Sequence, residues 1–248
     1  MAILDPVSEQ IVFFGACGAG KSSLMLHFID EYLKTQGAQR WELSEQIIRE
    51  ENAKRKTPLA FPTAPPVYTN IKGLKLKSCD GSDFTPIHRE GKEIGINDKD
   101  ADKQKYKHIY PGSLIAIDEA HKGFCSKGNL PEGQRDFFNK RRHNRLIILL
   151  AVPRAVLINK DIRDTGTRFI EVCRQEHVRD IFKRISKTVW HCREFTEGGA
   201  LEEYIQTDGK SGGFRCTTYT HDGNIFDLYN SFAFVGDFFP KDGEDFET

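Results

Sequence analysis

The residues best suited to chemistry lie in two short runs. The first is Gly15-Ala16-Cys17-Gly18-Ala19-Gly20-Lys21-Ser22-Ser23, a G-x-x-x-x-G-K-S match that follows an apolar run at 11–14 and leads into a helix-like stretch at 22–33. A strand before and a helix after are the context in which this spacing acts as a phosphate-binding P-loop, or Walker A motif. Gly15, Gly18 and Gly20 let the backbone curl so that successive N–H groups face one anion, and the helix beginning near Lys21 adds the positive end of its dipole. Lys21 then reaches the β- and γ-phosphates as a point charge, and Ser22 is placed to ligate Mg²⁺. A glycine turn that merely closes a strand–helix corner needs neither the lysine nor the hydroxyl.

The second run is Ser113-Leu-Ile-Ala-Ile-Asp118-Glu119-Ala-His121. Four apolar residues ending in a carboxylate read as a buried parallel strand that delivers Asp118 to the site, where it holds Mg²⁺ as a Walker B acid. Glu119 is the expected acceptor of a proton from attacking water. The alternative is that Glu119 only caps a helix. An acid pair of this kind belongs to proteins that hydrolyse ATP, whereas phosphotransferases need an acceptor pocket that the sequence does not reveal. The letters Asp-Glu-Ala-His also occur in helicases, but those need two cores and 248 residues hold one.

Arg141, Arg142, His143 and Arg145 precede a second apolar run, 146–152. They read either as an arginine finger given to a neighbouring subunit, with Arg141 or Arg142 the arginine that completes the site, or as contacts to a nucleic-acid backbone. Equally, they are ordinary dipole partners at a helix C-terminus.

These groups need a scaffold of alternating strands and helices. Leu26, Ile29 and Leu33 mark one face of a helix after the P-loop, with Gly37 as its stop; residues 41–54 read as a second, more polar helix ending before Pro58. A strand and turn follow at 66–74. Residues 75–110 form an insertion with at most short strands, whose run 97–105 is too polar to pack; Asp98, Asp100 and Asp102 lack the glycine and distant glutamate of a calcium loop. Helices are expected at 131–145 and 153–164, strands at 114–118, 146–152 and 167–173, and beyond them short strands at 187–195, 214–219 and 224–229 joined by glycine-rich turns. The predicted fold class is α/β: a P-loop NTPase core over 1–175, with a parallel sheet flanked by helices, of the additional-strand, catalytic-glutamate ATPase type. A small β-rich C-terminal extension covers 176–248 and ends in an acidic tail.

Composition excludes several classes. Eighteen phenylalanines and a 29% charged fraction describe a globular chain, not a disordered one. No run approaches the 18 or so apolar residues of a membrane span, and the first ten residues lack the pattern of a secretory leader, so the expected location is cytoplasmic. Six cysteines without a C-x-x-C pair read as free thiols; zinc held by Cys192 with His191 and Cys216 with His221 is the weaker alternative. Net charge is zero, yet residues 122–187 carry sixteen Lys/Arg against seven Asp/Glu, and 222–248 carry seven acids and one lysine. That segregation marks either a basic working face or merely solvated surfaces.

The order of the motifs is itself informative. The P-loop, Val67-Tyr-Thr-Asn-Ile-Lys-Gly-Leu74, Leu114-Ile-Ala-Ile-Asp-Glu-Ala-His121, Arg142-His143 before a strand, Ile158-Asn-Lys-Asp-Ile-Arg163 and Phe226-Asp-Leu-Tyr-Asn-Ser together resemble the zonular occludens toxin family. They are similar in the same way to the filamentous-phage assembly protein encoded by gene I. The resemblance implies an ATPase of phage assembly, related to FtsK/HerA-type DNA pumps. It would bind ATP and Mg²⁺ and act as a homo-oligomer with phage assembly proteins and single-stranded phage DNA. Family members usually continue into a transmembrane helix, so the implied location of the full protein is the inner membrane, reached through a segment absent from this chain, with this part cytoplasmic. The family also tends to place Thr-Gln where this chain has Val152-Pro153. A nucleotide-binding assembly or scaffold protein with little turnover is the second reading.

Overall fold

The computed structural model describes residues 4–5, 7–78, 80–88, 109–124, 129–130 and 132–229. The polar run 97–105, Cys79, Cys125 and the acidic tail from 230 onward lie outside them.

Strand β1 (Glu9–Phe14) is the centre of the molecule. Its side chains alternate between two cores: Ile11 and Phe13 face one, Val12 and Phe14 the other. The same alternation runs through β6 (Leu114–Ile117) and β7 (Ile147–Ala151), both fully buried. Strands buried on both faces are the mark of a parallel sheet covered by helices. With β2 (Val67–Thr69), β3 (Leu76–Lys77), β4 (Asp83–Phe84), β5 (Ile87–His88), β8 (Arg168–Arg179), β9 (Ile185–Phe195) and β10 (Arg215–Asp222), the main sheet runs β10-β9-β8-β1-β7-β6-β2-β5, while β3 and β4 form a separate pair. From β8 to β5 every pairing is parallel; β8, β9 and β10 continue the sheet antiparallel. The division expected at 175/176 therefore falls inside β8, and the strands beyond it belong to the same sheet as the P-loop.

One face carries α1 (Lys21–Thr35) with α2 (Gly37–Asn52) beside it; the other carries α3 (Glu132–Lys140), α4 (Lys160–Thr165) and α5 (Gly198–Gln206). Helix α1 is buried nearly all round: Leu24, Met25, Leu26, Phe28, Ile29 and Tyr32 have no exposed surface. A helix with apolar residues on its outer side needs a second cover. That cover comes from β3 and from a 3₁₀ turn, Ile225–Leu228, whose Ile225 is fully buried in the same core.

Several expectations are corrected. Gly37 is the first residue of α2, separated from α1 by Gln36 alone. The helix expected over 131–145 ends at Lys140, and 141–145 turn, with Arg145 at φ 55°. Residues 153–164 divide into a 3₁₀ turn, Ala155–Leu157, and α4, which Asn159 caps by accepting from the Asp161 N–H at 3.0 Å. Residues 224–229 are not a strand, because the Asn224 side chain accepts from the Phe226 N–H at 3.2 Å and winds the chain into a 3₁₀ turn. Helix α5 was not anticipated: its apolar Leu201, Tyr204 and Ile205 sit at helical spacing behind Gly198-Gly199, in a run too short for periodicity to stand out.

Strand β8 matters most for the site's surroundings. Arg168 to Glu171 pair with β1, whereas Val172 and the residues beyond pair only with β9. The β8–β9 hairpin therefore projects past the sheet edge that carries the P-loop, by roughly 25 Å at a strand rise of about 3.3 Å. Its tip residues Ile181 and Phe182 are 90% and 70% exposed.

Candidate functional site

Parallel strands end on a common edge, and that edge collects the groups singled out in the sequence. The loop after β1 folds as a P-loop requires. Gly15 sits at φ 143°, and a Cβ there would lie 2.4 Å from the Val172 carbonyl oxygen, a backbone atom that cannot move aside. Gly20 sits at φ 95°, and its Cβ would meet the Gln175 side chain at 2.3 Å. Both positions demand glycine. Ala16, Cys17 and Gly18 form the exposed crest, and Ala19 is buried beneath it.

Lys21 folds back over the loop, its Nζ donating to the Gly15 and Ala16 carbonyls at 3.1 and 2.9 Å. Ser22 Oγ donates to Asp118 Oδ2 at 2.7 Å. Ser23 is buried; its hydroxyl lies 2.9 Å from the Gly20 carbonyl oxygen, 3.0 Å from Gln175 Oε1 and 3.2 Å from the Trp190 indole nitrogen that donates to it. Residues 96 positions apart thus meet at one point.

Asp118 is half-buried at the end of β6, and Asn70 fixes it. The Asn70 amide accepts from the Asp118 N–H at 2.8 Å and donates to the Asp118 carbonyl at 2.9 Å. This reciprocal pair joins the ends of β2 and β6. Asn70 lies within the motif run 67–74, and a polar residue ending a strand is the signal it leaves in the sequence. Glu119 is exposed, in the left-handed region at φ 53°, with no cap hydrogen bond from its side chain and its carboxylate 3.6 Å from His121 Nε2. Tyr229 completes the surroundings: burial, and after it the negative charge of Asp118, raise its pKa above the usual phenol value.

The arginines are elsewhere. Ile147 aligns with Glu9, the first residue of β1, so the turn 141–145 lies at the opposite edge of the sheet from the loop that follows Phe14. Arg141 is 4% exposed and its guanidinium donates to the Phe138 carbonyl at 3.3 Å; burial, then the neighbouring charge of Arg142, lower its pKa. That corrects Arg141 as a finger, since a buried arginine cannot reach a neighbour. Arg142, His143 and Arg145 are exposed. Zinc finds no support: among the described residues no group of three His, Cys, Asp or Glu is placed to hold a metal, and burial pushes the Cys192 thiol up to about 12. Cys17, Cys173, Cys192 and Cys216 are free thiols.

A parallel sheet with strand order β8-β1-β7-β6-β2, a glycine loop after β1 feeding α1, and an acid pair after β6 define a P-loop NTPase fold with a strand inserted between the two motif-bearing strands. Residues 11–234 match the family model described as Zonular occludens toxin (Zot). The chain belongs to the Zot family. Among solved structures, the N-terminal domain of zonular occludens toxin from Neisseria meningitidis superposes with a TM-score of 0.55 at 17% identity, over 90% of this chain and 100% of that one. The genome packaging NTPase B204 from Sulfolobus turreted icosahedral virus 2, in complex with AMP, gives 0.45 at 13% identity, over 86% and 98%. The Legionella pneumophila ATPase DotB gives 0.39 at 12% identity, over 85% and 55%. A search of curated proteins finds no match. Among the described residues, no helix is long and apolar enough to cross a membrane.

Proposed function

We propose that this chain binds ATP with Mg²⁺ and hydrolyses it as the motor part of a membrane-associated oligomer that exports single-stranded phage DNA during filamentous-phage assembly. The observation that carries the ATPase reading is the junction of the two motifs, with Ser22 hydrogen-bonded to Asp118 and Lys21 held by loop carbonyls. Membership of the Zot family supports the role in phage export.

A hydroxyl beside a carboxylate is an all-oxygen donor set, which suits a small hard cation, so Ser22 and Asp118 are the residues to hold Mg²⁺. Bound there, the ion would supply positive charge against the phosphate oxygens. Lys21 exchanges its two carbonyls for phosphate oxygens, and the loop N–H groups hold the rest. Glu119 takes the proton of a water that attacks the γ-phosphorus; the new P–O bond forms as the bond to the bridging oxygen breaks, and ADP leaves with that electron pair.

A second reading, a nucleotide-gated assembly factor with little turnover, has one observation in its favour. Strand β7 ends at Ala151 and is followed by Val152, fully buried, and Pro153, neither of which offers a polar side chain toward a γ-phosphate. Steady-state hydrolysis with Mg²⁺, across protein concentration and with and without single-stranded DNA, separates the two. In the motor, Glu119→Gln lowers kcat about 100-fold or more and leaves ATP affinity nearly unchanged, while Lys21→Ala abolishes binding. Tight ATP binding without hydrolysis in the unmodified protein under every condition leaves only the assembly factor.

A further inference from the structure

We propose, resting on the reading that the P-loop holds a nucleoside triphosphate, that Gln175, His177 and Phe226 form the platform for the purine base. These residues flank the loop on the side away from Asp118. Gln175 comes from the projecting part of β8 and packs onto the start of α1, its amide 3.0 Å from Ser23 Oγ and against Gly20. Its Nε2 is buried with no hydrogen-bond partner among the described residues. Whichever way the amide is turned, one end is left buried and unpaired, so a turn of the side chain outward to a ring nitrogen or a ribose hydroxyl relieves that unpaired group.

Two residues farther along the same strand, His177 stands with its ring 5.4 Å from that of Phe226, and Phe226 lies 6.1 Å from Tyr229. The 3₁₀ turn Ile225–Leu228 packs on the outer side of α1, with Ile225 fully buried there and Phe226 38% exposed.

The spacing suits a nucleotide. Two strand residues span about 6.6 Å, comparable with the ribose that separates an α-phosphate from its base. A flat π-face on an aromatic ring beside a spare amide is how proteins hold a base without a dedicated pocket. The P-loop itself grips only phosphates, so affinity for the base has to come from groups beside it.

The test is calorimetric titration of the whole chain with Mg-ATP and with Mg-tripolyphosphate, which has the phosphates and no base. The unmodified protein is expected to prefer ATP by about tenfold or more. Phe226→Ala should erase most of that preference while binding tripolyphosphate as before, and Gln175→Ala should lose a smaller part of it. Phe226→Trp keeps a ring, should retain ATP affinity, and gives an indole fluorescence that ATP shifts and tripolyphosphate does not. Equal affinity of the unmodified protein for the two ligands, or Phe226→Ala weakening both alike, overturns the base platform and leaves the P-loop reading standing. Binding of neither ligand by the unmodified protein, or ATP binding untouched by Lys21→Ala, overturns the P-loop reading and this proposal with it.

Discussion

At the scale of single residues, Ser22 already donates to Asp118 and Lys21 to the Gly15 and Ala16 carbonyls, so a nucleotide has to replace contacts, not fill a void. Asn70 is the residue that keeps Asp118 in place while that exchange happens. Its amide makes one donated and one accepted bond to the Asp118 backbone. Asn70→Ala leaves a backbone donor and acceptor half-buried and unpaired, at about 1–3 kcal/mol, and frees the carboxylate to drift. The expected result is ATP binding in EDTA close to that of the unmodified protein, and a loss of about tenfold in the extra affinity that Mg²⁺ confers. Titration of both proteins with and without the metal checks it; equal losses in the two conditions would mean that Asn70 serves only stability. The P-loop and the acid pair were legible in the sequence because their spacing is local and their strand and helix contexts adjoin them. Asn70 and Gln175 were not, since each acts across the sheet on a partner at least 48 residues away.

At the scale of elements, α1 links the loop to everything stacked above it. His27, 5% exposed on its outer side, stacks on Trp190 of β9 with ring centroids 5.4 Å apart and meets His221 of β10 at 5.5 Å. Burial, then the charges of His221 and Lys34, lower its pKa to about 3. Asp30, 3.9 Å from His221, pulls that histidine up, but its burial prevails and its pKa is lowered too. The folded protein therefore binds fewer protons than the unfolded chain between pH 6.5 and about 3. Stability from these histidines is fully present above pH 6.5 and falls as the pH drops through that window. His27→Phe keeps an aromatic ring against Trp190 and removes the largest part of the effect. Thermal unfolding at pH 7.5 and pH 5 should show a smaller drop in Tm for the variant than for the unmodified protein, and identical drops would refute the assignment. In the sequence, Leu26, Ile29 and Leu33 mark one face of α1. The second cover is not legible there, because a 3₁₀ turn nearly 200 residues away leaves no periodic signal.

At the scale of the whole molecule, the sheet has two unlike edges. One carries the P-loop, Asp118 and the projecting β8–β9 hairpin; the other carries the exposed Arg142, His143 and Arg145. Arg142 stands before β7 and the P-loop stands after β1, some 20 Å away at about 3.3 Å per residue. An arginine so placed does not reach the phosphates of its own chain. In a head-to-tail assembly the opposite edges of neighbouring copies face each other, which is the arrangement that closes into a ring when the rotation allows. If Arg142 completes the site in that way, the defect of Arg142→Ala belongs to the neighbour, and the defect of Lys21→Ala belongs to the copy that carries it. Each variant alone should then hydrolyse at a small fraction of the normal rate. Mixed in equal amounts, they form about one quarter of interfaces in which an intact P-loop meets an intact Arg142, and activity should rise toward that fraction. A mixture no more active than the separate variants, with assembly verified by light scattering, would place Arg142 outside the shared site and remove the reason for hydrolysis to depend on a second copy.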